Sequence, residues 1–230
     1  PLHSAGILAK EVASLDAISN GRLTLGVAVG NRKDDFLVAG TTHSDRGRRF
    51  DDQLIQMKRI WAGESAEDGV GPVGPTPVQV EGPPLIFGGR SERALMRIAQ
   101  WGAGYVTGSV FDVPGARATF DIVERVWRDA GREGEPLFIG SLTCAIGKAE
   151  AEATAEASQH YYSYQGGRPA NAPGQPGSAT GADSLKTPST ATAIREKLKE
   201  CEAVGMSEVF LRPAGVTNPE QVDRLAEAVL

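Results

Sequence analysis

Pro83-Pro84-Leu85-Ile86-Phe87-Gly88-Gly89-Arg90-Ser91-Glu92-Arg93-Ala94 reads as a short buried strand, a glycine turn and the start of a helix, in that order. Two glycines permit turn dihedrals barred to other residues and let the backbone approach a ligand closely. Ser91 stands where a helix N-cap would be, beside the first N–H groups that have no intrahelical partner. Such a start is a ready anion site, and Arg90 and Arg93 add positive charge. The segment is equally a well-capped βα turn with nothing bound, and the motif alone does not choose between the two.

Working outward, the same strand-then-helix unit recurs. Before it, Leu8, Val12, Leu15 and Ile18 form a helical stripe that stops at Asn20-Gly21. Residues 23–29 read as a strand ending at Gly30. Residues 31–45 read as a polar loop with one apolar patch at Phe36, Leu37 and Val38. Phe50, Leu54, Met57 and Trp61 mark the next helix, and residues 64–82 a Gly/Pro-rich loop. After it, Leu95, Ile98 and Trp101 mark a helix, and Tyr105, Val106 and Thr107 a strand running into Gly108. Ala116, Phe120, Val123 and Trp127 mark a helix, residues 137–146 a strand and residues 148–164 a helix. Residues 165–188 read as a flexible Gly/Pro-rich loop. Ile194, Leu198 and Cys201 mark a helix, residues 208–211 a strand, and Val222, Leu225 and Val229 the inward face of a last helix. A helix followed by five βα units predicts an α/β fold with parallel strands, either an open doubly wound sheet or a barrel. In both, ligands sit beyond the carboxyl ends of the strands. That directs attention to residues 30–35, 88–91, 107–109, 147–149 and 212–215.

Composition narrows the function classes. The 230 residues are 40% hydrophobic and 23% charged, with net charge −5, so a real core is expected and the surface suits neither nucleic acid nor an anionic membrane. No apolar run approaches the ~20 residues of a membrane span, and a cytoplasmic protein is expected. The two cysteines, Cys144 and Cys201, fall in apolar patterns and read as buried thiols. The three histidines, His3, His43 and His160, have no metal-ligand spacing.

Four segments in order carry a family likeness. Leu8-Ala9-Lys10 with Ser14-Leu15-Asp16-Ala17-Ile18-Ser19-Asn20-Gly21-Arg22-Leu23 is the first. Leu25-Gly26-Val27-Ala28-Val29-Gly30 with Asp35-Phe36 and Gly40 is the second. Arg46-Gly47-Arg48-Arg49-Phe50-Asp51-Asp52, closing at Trp61-Ala62-Gly63, is the third. Gly74-Pro75-Thr76-Pro77-Val78-Gln79 with Pro83-Pro84-Leu85-Ile86-Phe87-Gly88-Gly89 is the fourth. The chain resembles the bacterial-luciferase-like flavin-dependent oxidoreductases, most closely up to about residue 130.

The resemblance implies one (β/α)8 TIM-barrel-type domain across residues 1–230. The family's first signature helix normally follows its third strand, so the first three strands are expected to be absent here. It further implies FMN, or in one branch a deazaflavin cofactor, at the carboxyl face. On that reading Gly88, Gly89, Arg90 and Ser91 hold the phosphate and Arg46 helps neutralise it, the alternative for Arg46 being an ion pair with Asp45 or Asp51. Ala28, Val29 and Gly30 flank the ring, and Thr107 and Gly108 line the cofactor. Asp35 is expected to cap a turn, His43 to be solvated, Tyr161, Tyr162 and Tyr164 to close over a substrate or pack a helix end, and Arg212 to meet an anionic substrate or solvent. No catalytic acid or base is assigned. The expected activity is oxidation of a small organic substrate by reduced flavin and oxygen. Deazaflavin-dependent hydride transfer and a non-catalytic flavin- or partner-binding remnant are the alternatives. A flavin reductase and a second copy of the chain are the expected partners.

Overall fold

The computed structural model describes residues 1–65, 69–109, 113–154, 187–213 and 219–229. They form two compact units, Pro1–Ala103 and Gly104–Leu230.

The first unit holds α1 (Ala5–Ile18), β1 (Leu25–Val27), α2 (Lys33–Val38), α3 (Arg46–Trp61), β2 (Leu85–Phe87) and α4 (Glu92–Trp101). β1 and β2 are parallel, with Leu25 opposite Leu85 and Val27 opposite Phe87. All three residues of β2 are buried, as its uninterrupted apolar run requires of a covered parallel strand. α3 buries the expected Phe50, Leu54, Met57 and Trp61, and Ile60 with them. Each such side chain contributes about 1.5–3 kcal/mol on burial.

The stripe expected of α1 is its inward face only in part: Val12 is buried and Leu8 half-buried. Leu15 and Ile18 are 53% and 81% exposed, and the helix buries Ala5, Ala9, Ala13 and Asp16 beside Val12. Small side chains let α1 approach α3 closely enough for the Trp61 indole N–H to donate to the Ala9 carbonyl at 3.0 Å. The expected loop at residues 31–45 contains a short helix, α2, which folds Phe36 inward to 1% exposure.

The second unit holds β3 (Gly104–Ser109), α5 (Val113–Asp129), β4 (Leu137–Thr143), a helix with described residues 148–154 (α6), α7 (Ala191–Ala203), β5 (Glu208–Arg212) and α8 (Pro219–Val229). β4 pairs in parallel with β3 and with β5. The α5 stripe is as expected, with Ala116, Phe120, Val123 and Trp127 buried. The Phe120 and Phe138 rings stack at 4.0 Å, with Tyr105 edge-on at 6.1 Å. Leu142, Cys144, Ile194 and Leu225 make a second cluster.

β4 stops three residues before the expected end. Ala145 and Gly147 donate to Pro188 and Ser189 instead of continuing the ladder. α8 turns Gln221 inward and leaves Val222 61% exposed. The Gln221 amide explains this rotation: it accepts from Ile146 N at 2.9 Å and donates to Ile146 O at 3.0 Å. Residues 165–186, Tyr161, Tyr162 and Tyr164 lie outside the described residues. Among the described residues no helix is long and apolar enough to cross a membrane.

Candidate functional site

The carboxyl ends of β1 and β2 lie side by side in the first unit. The last ladder bond joins Gly88 N to Val27 O at 2.9 Å. This bond ends β1 at Val27, so Ala28, Val29 and Gly30 lie just past the strand and not on it. It also occupies the Gly88 amide, so Gly88 places the turn without offering a donor. Gly89 then takes φ +133°, and a Cβ there would lie 2.8 Å from the Ala94 Cβ. Position 89 therefore needs glycine both for backbone freedom and for space.

Ser91 is the N-cap of α4, as expected. Its hydroxyl oxygen accepts from Ala94 N at 3.3 Å, which leaves its own O–H able to donate outward. The N–H groups of Gly89, Arg90, Ser91, Glu92 and Arg93 have no hydrogen-bond partner among the described residues. All five residues except Gly89 carry side chains, and all five are exposed. The result is a row of backbone donors at the positive end of a ten-residue helix. Arg90 and Arg93 meet no carboxylate among the described residues, whereas Glu92 adds one negative charge to the same turn.

Arg46 opens α3 and reaches back to the end of β1. Its Nε donates to Gly30 O at 3.1 Å and its Nη1 to His43 O at 2.9 Å. The expected alternative, an ion pair with Asp45 or Asp51, does not form. Asp45 pairs with Arg49 and Arg48, and Asp51 with Arg97. Arg46 is thus held by two neutral carbonyls, with His43 Nδ1 3.5 Å from Nη1, and it meets no carboxylate among the described residues. The Arg97 guanidinium grips Asp51 through two nitrogens at 2.5 and 2.9 Å and donates to Gly47 O at 3.2 Å. That fork ties α4 to α3 and so fixes the helix start relative to Arg46.

His43 is half-buried, and its Nε2 lies 3.1 Å from Asn31 O. Its ring stands edge-on to Phe36 at 5.1 Å. Gly30, at φ +74°, packs against that same Phe36 ring. Asp34 and Asp35 lie in the first turn of α2 beside Arg32, so Asp35 is inside a helix and does not cap a turn.

Thr107 and Gly108 belong to the second unit, at the carboxyl end of β3. Thr107 is half-buried and Gly108 is exposed beside open space. Arg212 ends β5, where its Nη2 donates to the buried Thr143 hydroxyl at 3.3 Å. An apolar recess of about 270 Å³ between β5 and α8, lined by Leu211, Pro213, Val222, Leu225, Ala226 and Val229, offers no group for chemistry.

Two buried polar residues escaped the sequence reading. Asp16 accepts from Gln79 N at 2.9 Å and from Gln79 Nε2 at 2.7 Å, and Gln79 also donates to Leu23 O. Burial works to raise the Asp16 carboxyl, but the hydrogen bonds from Gln79 outweigh it and hold the group below its ordinary value. The first and fourth signature segments therefore meet in a structural clamp. A lone acidic residue on the polar side of a predicted stripe gave no signal for it. Gln221 is the second case. Cys144 and Cys201 are both buried and free, and burial pushes the Cys144 thiol up to about 11.

The family model for luciferase-like monooxygenases matches residues 1–229, and the chain belongs to that family. It spans about half the length of the curated relatives it matches, uncharacterized proteins of Mycobacterium tuberculosis and Mycobacterium bovis. The identity is 31% over 144 residues, or 60% of this chain and 50% of the relative. Among solved structures it is similar to a monooxygenase from Streptomyces bottropensis, with TM-score 0.75 and 20% identity over 99% of this chain and 72% of that one. An F420-dependent secondary alcohol dehydrogenase gives 0.72 and 14%, over 99% and 76%. A riboflavin lyase with modified FMN gives 0.70 and 16%, over 99% and 66%. These likenesses establish the α/β fold of the luciferase-like family.

Proposed function

We propose that the protein is a flavin-dependent oxidoreductase of the monooxygenase type that takes FMN at the carboxyl ends of β1 and β2. One observation carries the reading: N–H groups at Gly89, Arg90, Ser91, Glu92 and Arg93, without a partner among the described residues, sit beyond the same strand pair as an Arg46 guanidinium bound only by neutral groups. The donors suit a phosphate, which accepts several N–H bonds and prefers a planar guanidinium. The Ser91 O–H adds a further donor. Ala28 and Gly30 are exposed just past β1, where a flat ring finds no bulky side chain from those positions. Bound reduced flavin would supply the electrons for oxygen activation and substrate oxidation. The protein's own tasks are to fix the phosphate, orient the ring and limit water. A small organic substrate, a reductase supplying reduced flavin and a second copy of the chain complete the proposal.

A deazaflavin-dependent hydride-transfer enzyme is the second reading, favoured by the likeness to the F420-dependent dehydrogenase. Its cofactor also carries a phosphate, so the same donors would serve. Titration with FMN and with F420, followed by difference spectra, separates the two. Tighter binding of FMN with substrate-stimulated oxygen uptake supports the first. Binding of neither cofactor removes both.

A further inference from the structure

We infer that His43 is a positioning residue that sets the aim of Arg46, an inference resting on the phosphate reading of this site. Arg46 needs two acceptors at once, Gly30 O for Nε and His43 O for Nη1. These carbonyls come from separate segments, one leaving β1 and one preceding α3. The His43 ring staples the segments together through Nε2 and Asn31 O at 3.1 Å. A carbonyl only accepts, so Nε2 carries the proton and Nδ1 presents its lone pair. That lone pair faces Arg46 Nη1 at 3.5 Å, adding a weak acceptor at the nitrogen that also donates to His43 O. Phe36 bears on the ring edge-on and lies so near Gly30 that a Cβ there would stand 3.3 Å from it, so ring and turn share one neighbour. Arg46 Nη2 meets no acceptor among the described residues. Nε and Nη1 are held by neutral groups, and Nη2 with its two N–H donors is the nitrogen left to meet an anion.

Two measurements test this. In the ligand-free protein, proton–nitrogen correlation spectra of the His43 ring should show the Nε2–H tautomer. The Nδ1–H tautomer would overturn the inference whether or not a cofactor binds. The second is the ratio of FMN to riboflavin affinity, which isolates the phosphate contribution. Arg46→Ala should lower that ratio roughly tenfold or more, and His43→Ala about three- to tenfold, with riboflavin affinity unchanged. His43→Gln, whose amide N–H can still reach Asn31 O, should restore most of it. In the Arg46→Ala background, His43→Ala should cost nothing further. A His43→Ala loss that falls equally on FMN and riboflavin, or that persists without Arg46, would assign the ring a purely structural role. A wild-type protein that binds FMN and riboflavin equally, and F420 no better than its phosphate-free deazaflavin core, removes the phosphate reading and this inference with it.

Discussion

Gly89→Ala would place a methyl group 2.8 Å from the Ala94 Cβ, where ordinary carbon contacts lie at about 3.5–4.0 Å. Ala94 is buried and lies on the first turn of α4, so it cannot retreat without moving the helix. The backbone adds a separate cost. At φ +133° a side chain is strained by about 1–3 kcal/mol, and overpacking by one methyl costs about 1–3 kcal/mol more. The sum is about 2–6 kcal/mol if the turn holds its shape. If it relaxes instead, the N–H groups of residues 89–93 shift relative to one another and to Arg46. Urea denaturation and FMN titration together read both outcomes. The variant should lose stability by that amount, or keep part of it and lose at least about tenfold in FMN affinity, the equivalent of 1.4 kcal/mol. Gly89→Ala with Ala94→Gly relieves the contact but not the dihedral, at about 1 kcal/mol for a glycine inside a helix. It should therefore recover the single variant only in part. A Gly89→Ala protein equal to wild type in both denaturation midpoint and FMN affinity would refute the assignment of this turn.

Other consequences follow from the same structure. Ser91→Ala removes the α4 cap and should cost about 1 kcal/mol in urea denaturation, with weaker FMN binding as well. Arg97→Ala breaks the fork to Asp51 and Gly47; a loss of about 1–3 kcal/mol is expected, together with lower FMN affinity because the helix start is no longer registered against α3. Because the native Asp16 carboxyl lies below its ordinary value, its contribution is fully present above about pH 4 and is lost as pH falls through the depressed native value. Asp16→Asn should flatten that acid limb of stability against pH, and an unchanged limb would show that Asp16 does not drive it. Cys144 and Cys201 should resist a thiol-specific disulfide reagent in the native state and react only on unfolding, since both are buried with raised thiols.

Some elements of the fold were legible because local signals agreed. The α3 and α5 stripes have large apolar residues at helical spacing, and those residues are buried. β2 reads as a buried strand, and Ser91 caps the helix after it, because strand, glycine turn and cap follow one another within a few residues. The errors share a physical cause. α1 carries two candidate faces, and the larger residues Leu15 and Ile18 look more core-like than Ala5, Ala9 and Ala13. Close helix packing selected the smaller set, a preference that hydrophobic counting cannot see. Asp16 and Gln221 are buried because each satisfies backbone groups far away in sequence, Gln79 N and both groups of Ile146. Of the site, the Gly-Gly turn between β2 and α4 was readable from the residues themselves, whereas the part given to Arg46 came only from the family resemblance. That Gly88 has no free amide, and that His43 staples two segments, depend on contacts between residues 12 or more apart.

The phosphate grip itself is tested most directly by titrating the wild-type protein with FMN and with riboflavin under identical conditions, alongside F420 and its phosphate-free deazaflavin core. At least one phosphorylated cofactor should bind roughly tenfold or more tightly than its phosphate-free counterpart, with the difference falling as salt rises. Equal affinity within each pair would mean that the helix start after Gly89 and the Arg46 guanidinium hold no phosphate.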